Sequence, residues 1–396
     1  MGEKGYGQMM TEKVLLLASV ASMIQQFNMR NIKILQEMGY EVEVACNFET
    51  GNTCSPEQIV LLKKDLEQRK VVWHQIDFVR NVFQLGQNVK AYRQLKTVMS
   101  QKHYKFIHCH SPIGGVLGRL AAHKYKTPVI YTAHGFHFFK GAPKKNWLLF
   151  YPVERFLAHY TDELLVINRE DYELAKAKFH MKHLTYVPGV GVDAKKHTFP
   201  KETHEKKRKE LGIPENAFLI TCVAEFTENK NQITVIRALE ELENPDLYYV
   251  MCGIGDKKAE LEQYVAEKQL GEHIKFVGFR KDIHEILYVS DCFVLSSLRE
   301  GLSVALMEAM AAGLPVVCGR IRGNMDLIED GMGGYLVTPT ERMDYQQAFL
   351  KLLDKKKRNP KELEEMGRVN QQTMEKFGCE PVDAVMKEVY KRHCQS

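Results

Sequence analysis

The chain has 396 residues, 44% hydrophobic and 27% charged, with a formal net charge of +5. This is a globular composition with material for two ordinary domains; it excludes a disordered, collagen-like or disulfide-built chain. The nine cysteines are scattered without a C-x-x-C pair, which fits a reducing cytoplasm and supplies no zinc spacing.

The first ten residues read as an ill-defined tail, and Met1-Gly2 lacks a myristoylation signal because Tyr6 stands where Ser or Thr is required. K-V-L-L-L-A-S from Lys13 falls short of the ~18–20 apolar residues that span a bilayer. Acidic Glu3 and Glu12 precede it, so it reads as a strand, not a signal peptide. Strands are then predicted at V-E-V-A-C (from Val42), V-V-W-H (Val71), F-I-H-C-H (Phe106), P-V-I-Y-T-A (Pro128), E-L-L-V-I-N (Glu163) and L-T-Y-V-P (Leu184). A second series follows at A-F-L-I-T-C-V-A (Ala217), L-Y-Y-V-M-C-G (Leu247), I-K-F-V-G (Ile274), D-C-F-V-L-S-S (Asp291), P-V-V-C (Pro315) and G-Y-L-V (Gly334). Apolar strands alternating with helical stretches predict parallel sheets covered on both faces. The fold class is therefore α/β, with two doubly wound, Rossmann-like domains and ligands beyond the carboxyl ends of the strands, in a central cleft that the domains face. The expected division is 1–195 and 196–380, joined through P-G-V-G-V-D (from Pro188) and the charged stretch Lys195 to Lys209; the last helical stretch, Pro381 to Arg392, is expected to return to the first domain.

Residues 1–200 hold 27 Lys/Arg against 17 Asp/Glu, whereas 201–396 hold 28 against 33. Residues 101–150 contain eight basic residues and no acidic one. A basic half points to an anionic partner, and without a nucleic-acid module that partner is a membrane surface or a phosphorylated acceptor, not nucleic acid.

The most informative run is E-G-L-S-V-A-L-M-E-A-M-A-A-G-L-P-V-V, with Glu300 and Glu308 seven residues apart. A buried strand precedes it, and Ser303 to Ala312 reads as a helix ended by Gly313. Glu300 then lies in the strand-to-helix loop and Glu308 on the second helical turn. The unpaired amides of residues 301–304 sit between them, at the positive end of the helix dipole. Such a site suits a diphosphate with hydroxyl groups at both ends, as in a nucleotide-sugar. Glu308 stands in an unusually apolar helix and needs a partner.

This run, with G-x-x-x-L-I-E-D-G-x-G-G-Y-L-V after it, resembles the family-four retaining glycosyltransferases of the GT-B fold. A-S-M-I-Q-Q-F-N-M-R-N-I, H-C-H-S-P-I-G-G, Y-T-A-H-G-F-H-F-F-K-G-A-P and P-G-V-G-V-D resemble the bacterial capsule and exopolysaccharide (EpsD-like) branch. The resemblance implies that Glu308 takes the donor ribose and that Glu300 holds the donor sugar near the reacting carbon, with His134 beside that sugar. It implies that Gly301, Leu302, Ser303 and Val304 supply backbone donors, that Lys230 neutralises the diphosphate, and that Gly278, Phe279 and Arg280 meet the base. Ser22, Gln25, Asn28 and His110 are the candidates on the acceptor side. The family's arginine before this lysine is replaced by Glu225; Arg280 or Arg322 are candidates to compensate.

The implied activity is a metal-independent, retaining transfer of a hexose, an N-acetylhexosamine by branch analogy, from a UDP-sugar to a polyprenyl-diphosphate-linked or other saccharide in polysaccharide biosynthesis. It needs no cofactor and no metal, and it is placed in the cytoplasm, peripheral on the inner face of the membrane. The alternatives are a UDP-sugar epimerase and a non-catalytic nucleotide-sugar-binding component of a polysaccharide assembly. His108 and His110 form an H-x-H pair without the acidic or cysteine set that would complete a metal site. G-I-G-D at Gly253 is a lone G-x-G, a weak dinucleotide signal. His137 is read as structural. Phe138 to Tyr151 interleaves aromatics with three lysines, either as an edge for an anionic bilayer or as an aromatic stripe packed into the first domain.

Overall fold

Every run read as a strand forms one, because continuous apolar stretches of four to eight residues can hide both faces only inside a sheet. The computed structural model describes residues 12–51, 54–79, 81–193 and 199–394. The expected N-terminal tail and the middle of the charged join lie outside the described residues. The chain divides into two units, Met1–Val187 with Asp383–Ser396, and Pro188–Val382.

The N-terminal unit has strands β1 (Lys13–Val20), β2 (Glu41–Asn47), β3 (Val72–Gln75), β4 (Tyr104–His110), β5 (Val129–Ala133), β6 (Glu163–Val166) and β7 (His183–Tyr186). They pair in the order β3-β2-β1-β4-β5-β6-β7, all parallel. The second unit has β8 (Phe218–Val223), β9 (Leu247–Cys252), β10 (Ile274–Gly278), β11 (Cys292–Leu295), β12 (Val316–Gly319) and β13 (Gly334–Val337), ordered β10-β9-β8-β11-β12-β13 and again parallel. Both orders run outward in two directions from the first strand, so each sheet has a switch point: between β1 and β4, and between β8 and β11. Among the described residues no helix is long and apolar enough to cross a membrane.

Helices lie close on these sheets only where side chains permit. In the helix Pro112–Tyr125, a Cβ on Gly115 would stand 2.4 Å from the Tyr131 ring, and one on Gly118 2.4 Å from Cys109 Sγ. That explains the glycines of H-S-P-I-G-G. The same helix buries Arg119, whose guanidinium lies 4.1 Å from the centre of the Tyr131 ring and donates to Glu154 at 2.8 Å. The helix Lys144–Leu157, which carries Glu154, is thereby tied to the sheet. Its aromatics turn inward: Phe138 is buried, Trp147, Phe150 and Tyr151 pack on the same core, and Trp147 Nε1 donates to Phe139 O. The aromatics from Phe138 to Tyr151 thus pack on the core of the first domain, and the helix turns Leu148, Leu149, Val153 and Phe156 outward.

The final helix, Cys379–Cys394, belongs to the N-terminal unit from Asp383 onward. Glu163, fully buried on β6, accepts from Arg392, from His393 Nε2 at 3.0 Å and from Thr185 Oγ1 at 2.6 Å. Burial alone would raise this carboxyl, but these hydrogen bonds outweigh it and hold it at about 2. Tyr390 hydroxyl meets His108 Nδ1 at 2.9 Å, and Arg30 pairs with Asp383. Replacing Glu163 with Ala leaves Arg392, His393 and Thr185 without the buried acceptor they share. It is expected to cost about 2 kcal/mol, read as a lower thermal midpoint at pH 7; an unchanged midpoint would show that the helix is held by its apolar contacts alone.

Candidate active site

The switch point of the second sheet is spanned by one ion pair. Lys230 follows β8 in a 3-10 turn, Glu228–Lys230, and Glu300 follows β11; Lys230 Nζ stands 2.6 Å from Glu300 Oε1, both side chains being mostly buried. The two loops are also laced through the backbone. Leu298 N–H donates to Asn229 O at 2.8 Å, Asn229 Nδ2 to Arg299 O at 3.0 Å, and Ser296 Oγ to Lys230 O at 2.8 Å. Ser297, next in line, is buried with an Oγ that has no hydrogen-bond partner. Sequence reasoning did not single it out, although the S-S pair directly after β11 was its signal.

The predicted helix is Val304–Ala311, with Ser303 as N-cap accepting from Leu306 N–H at 3.3 Å. Its first intrahelical donor is Met307, to Ser303 O. Residues 301–304 therefore supply the unpaired end of the dipole. Glu308 is half-buried on the second turn among fully buried Leu306, Met307, Ala309 and Met310. Two glycines hold the loop in place from beneath. A Cβ on Gly323 (φ +79°) would stand 2.3 Å from Gly301 O, and one on Gly189 (φ +75°) 2.9 Å from Leu302 Cδ2. The P-G-V-G-V-D motif is thus a support for the Glu300 loop.

The loops after β8, β9 and β10 zip together in the same way. Phe226 N–H donates to Ile254 O, Ala224 N–H to Cys252 O, and Gly253 N–H to Gly278 O. A Cβ on Gly253 would meet Ala224 O at 1.9 Å. G-I-G-D is therefore a close-packing element, and its glycines are explained without a dinucleotide. Gly278 takes φ +70°, and Phe279 beside it is 55% exposed. Arg280 is bound by Asp282 at 2.6 Å and by Glu210, and Lys207 is held by Asp282 and Glu285. The hydrogen bonds from Arg280 and Lys207 hold the Asp282 carboxyl well below its usual range. Arg280 is therefore anchored as a scaffold for this loop. Glu225 is exposed, and Arg322 is buried next to Gly323.

At the switch point of the first sheet, Ser19 on β1 and Ser111 after β4 are joined Oγ to Oγ at 2.6 Å, and Gly114 N–H donates to Ser19 Oγ at 3.2 Å. Ser111 has φ +66°, in the left-handed region that a non-glycine residue rarely adopts. A cavity of about 560 Å³ opens here, with Ser19, Asn81, Ser111 and His137 as its polar lining and Val20, Met23, Val82, Pro112, Ile113 and Phe150 as its apolar one. None of these ten was among the expected acceptor residues; His137, read as structural from the sequence, lines this cavity. Of the expected ones, Asn28 is fully buried, bonding Met23 O and Asn31 at the break between two helices. Ser22 is buried, and Gln25 accepts from Cys54 Sγ.

His110 is buried and shares its Nδ1 with His134 Nε2 at 3.1 Å, while its own Nε2 has no partner. His134 packs on Phe27 with ring centroids 5.4 Å apart. His108 is saturated by Tyr390 and by Thr132 Oγ1 at 2.8 Å, which removes it from metal ligation. Loss of water lowers all three imidazoles, His134 to about 4 and His108 to about 3. They are neutral in the folded chain near pH 7. Because the folded state binds fewer protons, their stabilisation is full above the unfolded value of about 6.5 and is lost as pH falls from there toward 4. The thermal midpoint is expected to drop between pH 7 and 5, and to drop less in His110→Gln. A midpoint constant over that range would contradict neutral burial.

Residues 203–372 match the family described as glycosyl transferases group 1, and residues 24–188 the glycosyl transferase 4-like domain. The chain is 34% identical over 391 residues, 97% of each chain, to the putative glycosyltransferase EpsD of Bacillus subtilis. It is 28% identical over 348 residues, 86% of this chain and 87% of the other, to the UDP-Gal:alpha-D-GlcNAc-diphosphoundecaprenol alpha-1,3-galactosyltransferase of Escherichia coli. The structure of Anabaena HepE in complex with UDP and glucose superposes with a TM-score of 0.78 at 19% identity, over 96% of this chain and 100% of that one. With Lys230, Glu300 and Glu308 set around an open helix start, the chain belongs to the family-four, group 1 retaining glycosyltransferases of the GT-B fold.

Proposed function

We propose that the chain transfers a hexose, an N-acetylhexosamine, from a UDP-sugar to a saccharide carried on polyprenyl diphosphate, with retention, as a step of polysaccharide biosynthesis. The observation that carries this reading is the Lys230–Glu300 pair at 2.6 Å beside the unpaired start of the Val304–Ala311 helix. The named substrates of the Escherichia coli relative and the UDP in the HepE complex support the donor and acceptor classes. In this assignment the second unit binds the donor and the N-terminal unit binds the acceptor. The enzyme works in the cytoplasm, peripheral on the inner face of the membrane, toward which the basic first half is drawn.

In the transfer the bond from C1 to the diphosphate oxygen breaks and its electron pair leaves with UDP. The acceptor oxygen attacks the same face of C1, and its proton passes to the departing phosphate oxygen. Charge grows negative on the diphosphate and positive on the sugar. Lys230 has two further N–H donors beyond the one given to Glu300, and with the amides of Gly301, Leu302, Ser303 and Val304 it meets the first charge, a preorganised stabilisation that does the work a divalent metal would otherwise do. Glu300 holds sugar hydroxyls and favours the cationic carbon. Glu308 takes the ribose, and Gly278, Phe279 and Arg280 meet the base. His134, kept neutral and oriented by His110, serves the sugar.

Glu300→Gln is expected to lower kcat by about 100-fold or more while the Kd of UDP changes little. Glu308→Ala is expected to weaken UDP itself by about tenfold or more, the loss of a charge-assisted hydrogen bond. UDP release with a lipid-linked N-acetylglucosamine acceptor, and calorimetry with UDP, separate the two. Full turnover in Glu300→Gln removes its assigned role, and activity that dies in chelator removes the metal-free account.

A further inference from the structure

The helix Lys144–Leu157 has two faces. Its inner face holds buried Glu154 and Leu157 and places Phe150 in the wall of the cavity at the first switch point. Its outer face carries Leu148 (79% exposed), Phe156 (57%), Val153 (41%) and Leu149 (40%). These recur at helical spacing and form one stripe, a pattern that scattered surface apolar residues do not make. Exposed Lys140, Lys144, Lys145 and Arg155 surround it. The one acid between Lys140 and His159 is Glu154, which is buried against Arg119; Glu170 accepts from Lys140 N–H at 2.6 Å at one edge, so the rim of the stripe is predominantly basic.

We propose that this helix is the element on which the N-terminal unit rests on an anionic bilayer, and that the cavity on its inner side receives the uncharged terminal sugar of an acceptor still anchored in that bilayer. The apolar stripe enters at headgroup depth while the basic rim meets lipid phosphates. A second copy of this chain docked through the same stripe would set like charges together, which disfavours it as the occupant. The described residues lining the cavity carry no fixed charge. The cavity therefore suits a neutral sugar with an apolar substituent and leaves the carrier's diphosphate to the basic rim. The identity of the acceptor rests on the transferase reading; the bilayer contact does not.

The test uses the full chain and vesicles of phosphatidylglycerol and phosphatidylcholine. Leu148→Glu combined with Phe156→Glu is expected to lower co-sedimentation at least tenfold. It should keep the wild-type thermal midpoint and the rate on a water-soluble short-alkyl acceptor, and lose turnover of an undecaprenyl acceptor held in vesicles. Phe150→Ala, with Met23→Gln as a second cavity variant, should keep vesicle binding and raise KM for both acceptors several-fold. Wild-type protein that ignores the vesicles, or a double variant that sediments like wild type, overturns the helix assignment. A dimer that the double variant dissolves overturns it in favour of a second copy. Unchanged KM in both cavity variants overturns the cavity assignment. Vesicle binding without turnover of any acceptor leaves the bilayer contact standing and removes the transferase reading.

Discussion

A parallel sheet whose strand order reverses beside its first strand leaves two neighbouring loops that leave its carboxyl edge in opposite directions. That constraint governs both units. Between β8 and β11 the gap is filled by an ion pair and by the start of a helix; between β1 and β4 it is filled by two serine hydroxyls and a cavity. The same topology thus yields two sites, and side chains alone set their chemistry.

Those chemistries are opposed. The second unit gathers a lysine, two carboxylates and unpaired amides, groups that respond to charge appearing on a ligand. The first gathers hydroxyls, imidazoles and apolar walls, and its histidines are held neutral by burial. Neutral imidazoles and hydroxyls can hydrogen-bond a ligand hydroxyl without attracting an anion. Under the proposed function the charged set would face the diphosphate and the neutral set the acceptor.

Precision comes from close approach. Gly323 and Gly189 let backbone press on the Glu300 loop, and Gly253 lets the β9 loop press on the β8 loop. The Arg280–Asp282–Glu210–Lys207 cluster fixes the neighbouring loop by charge. In the first unit the buried Arg119–Glu154 pair holds a helix whose outer side is apolar, and the buried Glu163 cluster holds the returning C-terminal helix. The carboxylates of Glu154 and Glu163, taken out of water, are both matched by cationic partners, the condition on which burial is tolerated.

The sequence by itself determined the strands, the two-unit α/β class and the helix that starts after Ser303, because continuous apolar runs, caps and terminating glycines are local signals. It also placed Glu300, Glu308 and Lys230, since each follows a recognisable strand or lies in an improbably apolar helix. Only the tertiary structure decided that Lys230 meets Glu300 across 70 residues of chain, that Arg280 pairs with Asp282, that Asn28 is buried, and that Ser19, Ser111 and His137 share a cavity. The physical reason is that pairing and burial depend on which loops a sheet order brings together, and strand order is a long-range property that no local pattern of residues encodes. The outward apolar stripe of the Lys144–Leu157 helix is the same case. Its periodicity was present in the chain, but which face turned inward was settled by Glu154 finding Arg119.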